Sequence, residues 1–255
     1  MSGGSGGGSN NNKGIVAVVG VGPKLGRSIA RKFAHEGYTV AILARDLGRL
    51  SIFADEIARE EKSQVFAIRI DCSDAKSVRE AFEGLLSLGF IEVLVYNASA
   101  PSTSPSTRFT DIRVESFEKA LAVTTVGAFH CAQQVIPRMV ERRKGTIIFT
   151  GSSMSLNGMP GSYELSCGKF ALRALSQCLS KEFQCRGIHV AHVVIDGAIG
   201  PPRSSQKAFG DPMDEGLDGW MMDPDAVANA YWHIHTQDRA AWSQEIDLRS
   251  SRHSF

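Results

Sequence analysis

From residue 14 onward, short apolar runs rich in β-branched residues alternate with amphipathic stretches, and no other feature constrains the fold as much. Ile15–Val19 reads as a buried strand that ends in glycine. Leu25–His35 then places Leu25, Ile29, Ala30 and Phe33 on one helix face. Further strands are predicted over 38–44, 65–70, 91–96, 146–150 and 190–195, with helices over 47–61, 75–88, 114–142 and 163–185 between them. Pro137 is expected to kink the longest of these. A last helix over 224–236 and a last strand over 245–248 complete the pattern. Strands alternating with helices imply right-handed crossovers and a doubly wound parallel sheet, with ligands bound beyond the strand C-termini where the strand order reverses.

The 255 residues show no repeat and no interdomain linker, so a single α/β domain is expected over 14–255. Residues 1–13, MSGGSGGGSNNNK, have the composition of a flexible polar tail and lack the apolar core of a secretory signal. Charge is balanced, 28 basic residues against 27 acidic, which gives no pull toward nucleic acid or an anionic membrane. No run is apolar and long enough to span a bilayer. The five cysteines form no CxxC and no metal-like pairing, as in a reducing, cytoplasmic setting with free thiols, and no metal site is expected. The stretch 198–222, rich in Pro, Gly, Asp and Met, is too long for a mere connector and reads as a substrate loop. Its Met213, Leu217, Trp220, Met221 and Met222 suit an apolar substrate or simple packing.

The first strand runs through GVGPKLG into a helix. Gly20 and Gly22 allow close backbone approach, Gly26 allows the helix to pack on the strand, and the helix N-terminus offers free N–H groups to a pyrophosphate. Lys24 and Leu25 belong to the same turn. Where an NAD site usually has an acid, the second strand ends in Ala44 followed by Arg45, a cation suited to a 2′-phosphate. NADP is therefore favoured over NAD. Asp71 and Cys72, in DCSD after the third strand, are candidates for the adenine side, with Asp71 equally suited to cap a helix. Asn97 closes the fourth strand at the same edge.

These motifs, in this order, resemble those of the short-chain dehydrogenase/reductase family from about residue 14 to the end. GVGPKLG stands where that family has TGxxxGxG, DCSD matches its adenine motif and YNASA its NNAG. GSS at 151–153 matches its serine strand. IDGAI at 195–199 stands where it has a Pro-Gly turn and a residue holding the nicotinamide carboxamide, which singles out Gly197 and Ile199. The ending AWSQEIDLRS looks like a subgroup with unusual active sites. The resemblance implies a Rossmann fold, a small-molecule substrate, and hydride transfer between nicotinamide and a carbonyl or alcohol carbon. It also implies a homodimer or homotetramer formed through the helices over 114–142 and 163–185.

The family's serine polarises the carbonyl, which is Ser152 here with Ser153 as fallback, and its lysine holds the ribose, which is Lys169. Four positions depart from the pattern. Lys24 replaces the middle glycine of the loop, Thr124 an asparagine, Asp196 the proline of the turn, and Leu165 the tyrosine four residues before the lysine. Tyr163, six residues before Lys169, is the remaining candidate phenol, or a packing aromatic. The expectation is an oxidoreductase with a degenerate centre, and its rival a non-catalytic NADP(H) sensor or scaffold. A serine hydrolase is excluded because GSSMS lacks the G-x-S-x-G elbow.

Overall fold

The computed structural model of the protein describes residues 13–100, 108–202 and 221–251. The apolar runs become the parallel strands β1 (Ile15–Val19), β2 (Thr39–Ala44), β3 (Val65–Arg69), β4 (Ile91–Tyr96), β5 (Gly145–Thr150) and β6 (Ile188–Asp196). Two short strands, β7 (Ala198–Ile199) and β8 (Met221–Met222), pair with each other, and β9 (Glu245–Arg249) closes the main sheet. Its order is β3-β2-β1-β4-β5-β6-β9, every pair parallel. The order reverses between β1 and β4, so a ligand crevice belongs there, at the C-terminal edge.

Strand parity divides the core into two layers. Val16, Val18, Val40, Ile42, Val93 and Val95 meet α1 (Leu25–His35), α2 (Leu47–Glu61) and the late helix α7 (Pro224–Thr236). Ala17, Val19, Ala41, Leu43, Leu94 and Tyr96 face α3 (Ala75–Leu88), α5 (Gly127–Arg142) and α6 (Tyr163–Phe183). With helices on both faces, the central strands have no solvated side, which explains their unbroken apolar sequence.

The expected helix over 114–142 is interrupted. It consists of α4 (Val114–Leu121), a π-helical turn over Ala122–Val126, and α5. Pro137 lies inside α5, so the irregularity falls at 122–126 and not at the proline. A π turn releases carbonyls from the regular ladder. That of Val123 accepts the buried Tyr96 hydroxyl. Residues 1–12 and 203–220, and with them Met213, Leu217 and Trp220, lie outside the described residues.

Candidate active site

The crevice forms where expected. A cavity of about 580 Å³ opens at the ends of β1, β2, β3 and β4, lined among others by Gly20, Gly22, Arg45, Asp71, Cys72 and Asn97. Gly20 has φ +87°, and a Cβ there would stand 2.4 Å from the Ala98 backbone, so this crossing of β1 and β4 requires glycine. Asn97 fastens the same crossing, its Nδ2 donating to Gly20 O at 2.9 Å and its N–H to Val19 O at 2.8 Å. At Gly26 a Cβ would meet Val21 Cα at 2.8 Å, so α1 starts hard against the turn. Gly22 has nothing within 4 Å of such a Cβ and fronts open space.

Leu25 is buried in the core, leaving only its backbone for the crevice. Lys24 Nζ donates to Ile199 O at 2.6 Å and ties the glycine turn to β7. Neither it, Gly197 nor Ile199 lines the cavity.

On the adenine side, Asp46 caps α2 by accepting from Arg49 N–H at 3.1 Å, as its place before a helix suggests, and leaves Arg45 exposed at the rim. Asp71 accepts from Ser73 N–H and Oγ at 2.9 and 2.7 Å. These bonds hold its carboxyl below its ordinary pKa. The cap of α3 is Asp74, not Asp71. Burial pushes the Cys72 thiol up to about 11, so it stays protonated. Ser116, Lys119, Ala120 and Val123 also line the cavity. Their spacing is one helix face, visible in the sequence, but nothing in a Ser-Lys-Ala-Val series marks that face as a binding wall.

The catalytic candidates lie beyond this lining, around the end of β5. Lys169 on α6 is buried, and its Nζ donates to Thr150 O at 2.6 Å. Burial lowers its pKa to about 8. Ser152 leaves β5 in extended conformation with a buried Oγ that donates no hydrogen bond among the described residues, in a capping box with Ser155. Thr124 sits in the π turn with its Oγ1 buried and unpartnered among the described residues, packed against Gly168, while Thr125 Oγ1 donates to Gly168 O at 3.0 Å.

Helix α6 begins at Tyr163, so Tyr163 and Lys169 belong to one regular helix and lie about 120° apart around it. The Tyr163 ring packs edge-on against Phe109 with centroids 5.3 Å apart. Leu165, one turn before Lys169, shares its face. Among the described residues no cluster of His, Cys, Asp and Glu could hold a metal, and no helix is long and apolar enough to cross a membrane.

A doubly wound sheet with a glycine turn and a crevice at its switch point defines a dinucleotide-binding α/β protein. Residues 14–205 match the family model described as short chain dehydrogenase, and the chain belongs to that family. It is 29% identical over 180 residues to the 3-ketodihydrosphingosine reductase of Mus musculus, covering 69% of this chain and 53% of that protein. It thus spans about half the length of that curated relative. A short-chain dehydrogenase from Rhodopseudomonas palustris superposes with TM-score 0.77 at 28% identity, over 92% of this chain and 97% of that one. The Thermococcus sibiricus alcohol dehydrogenase complexed with 5-hydroxy-NADP gives 0.79 at 23%, over 94% and 97%, a likeness of fold.

Proposed function

We propose that the protein is an NADP(H)-dependent oxidoreductase acting on a small carbonyl or alcohol substrate, with a catalytic centre that lacks the usual phenol. The observation that carries this reading is the buried Lys169 amine held on Thr150 O at the end of β5, two residues before Ser152, in a sheet whose switch-point crevice suits a dinucleotide. Membership of the family supplies the reaction class.

The crevice fits the cofactor. Gly20 and Gly22 keep side chains out of the pyrophosphate path, Asn97 holds the wall, and Asp71 has a carboxylate oxygen left for the adenine side. Arg45 at the rim supplies positive charge for a 2′-phosphate, Lys24 would add to it if its Nζ left Ile199 O, and no acid stands at Ala44 to favour NAD. Gly197 and Ile199 would border the nicotinamide end. When bound, the cofactor supplies a hydride.

The chain's own residues do the rest. Ser152 Oγ–H would polarise the carbonyl oxygen, and the Lys169 amine, held on Thr150 O, would bind a ribose hydroxyl of the cofactor. Tyr163, turned toward Phe109, is the reserve phenol. Residues 14–255 act as one domain, with 198–222 as the substrate loop. The exposed Val126, Phe129 and Phe170 on the two long helices support a homodimer or homotetramer. Free cysteines suit a cytoplasmic setting.

The test is direct. Purified protein is expected to bind NADPH more tightly than NADH and to oxidise it with a member of a panel of aldehydes, ketones, quinones and enones. Tight NADPH binding with no oxidation across the panel would instead establish the non-catalytic sensor, which Leu165 favours.

A further inference from the structure

The sheet carries a second depression at the edge opposite the dinucleotide crevice. A cavity of about 430 Å³ lies where β5, β6 and β9 begin, lined among others by Arg143, Lys181, Gln184, Arg239 and Trp242. The one buried residue of its lining is Gly187. Gly187 has φ +82°, and a Cβ there would stand 2.5 Å from Arg143 O, so no side chain can fill the space above it.

Among the described residues, three cations and no acid line this cavity. Helix ends attract cations because their last carbonyls are free, and part of the charge here answers that need. Arg239 Nη2 donates to Arg143 O at 2.7 Å, and Arg143 Nη2 reaches Cys185 O at 3.5 Å. Each bond takes one donor of a guanidinium and leaves the rest of the fork. Neither arginine nor Lys181 forms an ion pair among the described residues, although Glu182 and Asp238 are their sequence neighbours. Asp238 turns to its own backbone instead, accepting from Ala240 N–H at 2.8 Å.

A smaller cavity of about 220 Å³ between α1 and α7 shows the contrast. Its Arg31 and His35 meet acids of the same lining, Asp225 at 2.7 Å and Glu61 at 2.8 Å. Its charge is balanced from within, and that of the Gly187 cavity is not. Trp242 adds an apolar wall to the latter. Its indole N–H donates to Gln237 O at 3.3 Å and His189 stacks parallel on the ring, centroids 4.7 Å apart, so the ring is held in place. A fixed indole beside uncompensated guanidinium forks suits a molecule that is planar at one end and anionic at the other.

We propose that this cavity binds a small organic phosphate. The phosphate oxygens lie on Arg143, Arg239 and Lys181, and the planar part of the molecule on Trp242. A phosphate offers several acceptor oxygens and more than one negative charge at neutral pH, which matches two forks and an ammonium better than a single carboxylate does. The site stands apart from the crevice and does not depend on the reaction proposed above.

Cys185 lines the cavity and is exposed, whereas the exposed Cys167 and Cys178 lie outside its lining. Alkylation of the full chain by iodoacetamide, followed by mass spectrometry of its peptides, therefore reports on the site with internal controls. Phenyl phosphate at ten times its Kd is expected to slow labelling of Cys185 by about tenfold and to leave Cys167 and Cys178 unchanged. Inorganic phosphate, which cannot use Trp242, is expected to need about tenfold more for the same protection. Lys181→Gln, which breaks no side-chain bond among the described residues, and Arg239→Gln are each expected to weaken protection about tenfold. Full labelling of Cys185 at about 10 mM phenyl phosphate, a weak-binding limit, overturns the proposal. So does equal slowing at all three cysteines, or unchanged protection in both charge variants. Inorganic phosphate that protects as well as phenyl phosphate overturns the place given to Trp242.

Discussion

The Lys169 amine donates to the Thr150 carbonyl at 2.6 Å from a fully buried position, and burial alone brings its pKa from 10.5 to about 8. A lysine so placed weakens the fold at neutral pH. The folded state resists the proton that the unfolded chain holds up to 10.5, so this residue's contribution to stability rises with pH between 8 and 10.5. Below 8 its full cost applies. The shift corresponds to about 3 kcal/mol, offset by about 1 kcal/mol from the hydrogen bond. Lys169→Met is therefore expected to be about 2 kcal/mol more stable than wild type at pH 7 without cofactor. By pH 10 the difference should vanish. Urea denaturation at the two pH values reads this directly, and equal differences at both would contradict it.

Acid stability is governed at the other end of the sheet. His235 on α7 is held between Tyr38 Oη at 2.8 Å and Thr146 Oγ1 at 2.9 Å, and burial lowers its pKa to about 4. Here the unfolded chain gains a proton near 6.5 that the folded one refuses until about 4. Stability is complete above 6.5 and falls as pH drops toward 4. The loss to pH 4.5 from this residue is about 2–3 kcal/mol. His235→Gln is expected to start lower, because Tyr38 and Thr146 lose partners, yet to lose that much less on acidification. The urea midpoint at pH 7 and pH 4.5 for both proteins gives the comparison.

How far such sites can be read from sequence depends on the range of the interaction. The strands were legible because residues such as Val16 and Val18, buried on both sides, must be apolar whatever their neighbours. Gly20 was legible because its backbone conformation admits little else. The π turn at 122–126 was not, since AVTTV favours no particular ladder and the turn is held by Tyr96 and Gly168 from distant elements. Nor was the His192–Glu245 pair, whose residues are 53 positions apart and meet only through the β6–β9 register. The start of α6 at Tyr163 was legible as well, and it sets Tyr163 and Lys169 in one helix.

Arg45 lies exposed at the rim, beside Ala44 and across from Asp71, whose charge it feels. A partly solvated guanidinium on a phosphate makes a charge-assisted contact of about 1.5–3 kcal/mol. Arg45→Ala is expected to weaken NADPH about tenfold or more while leaving NADH within about twofold. The two dissociation constants, measured by quenching of protein fluorescence, decide it. An equal loss for both cofactors would mean that Arg45 serves the fold of the rim and not the phosphate.

Leu165 shares the Lys169 face of α6, half-buried and one turn toward the N-terminus. A tyrosine there would bring a phenol to that face, where the nearby amine favours its ionised form. A positioned general acid is worth about 10²–10⁴ in rate. Leu165→Tyr adds volume at a site that is not sealed, so the cost in stability should stay within about 1–3 kcal/mol. If the centre is catalytic and short of a proton donor, this variant should raise kcat for carbonyl reduction by about tenfold or more with little change in NADPH affinity. No gain, in a variant that still binds NADPH, would mean that proton supply is not what limits carbonyl reduction.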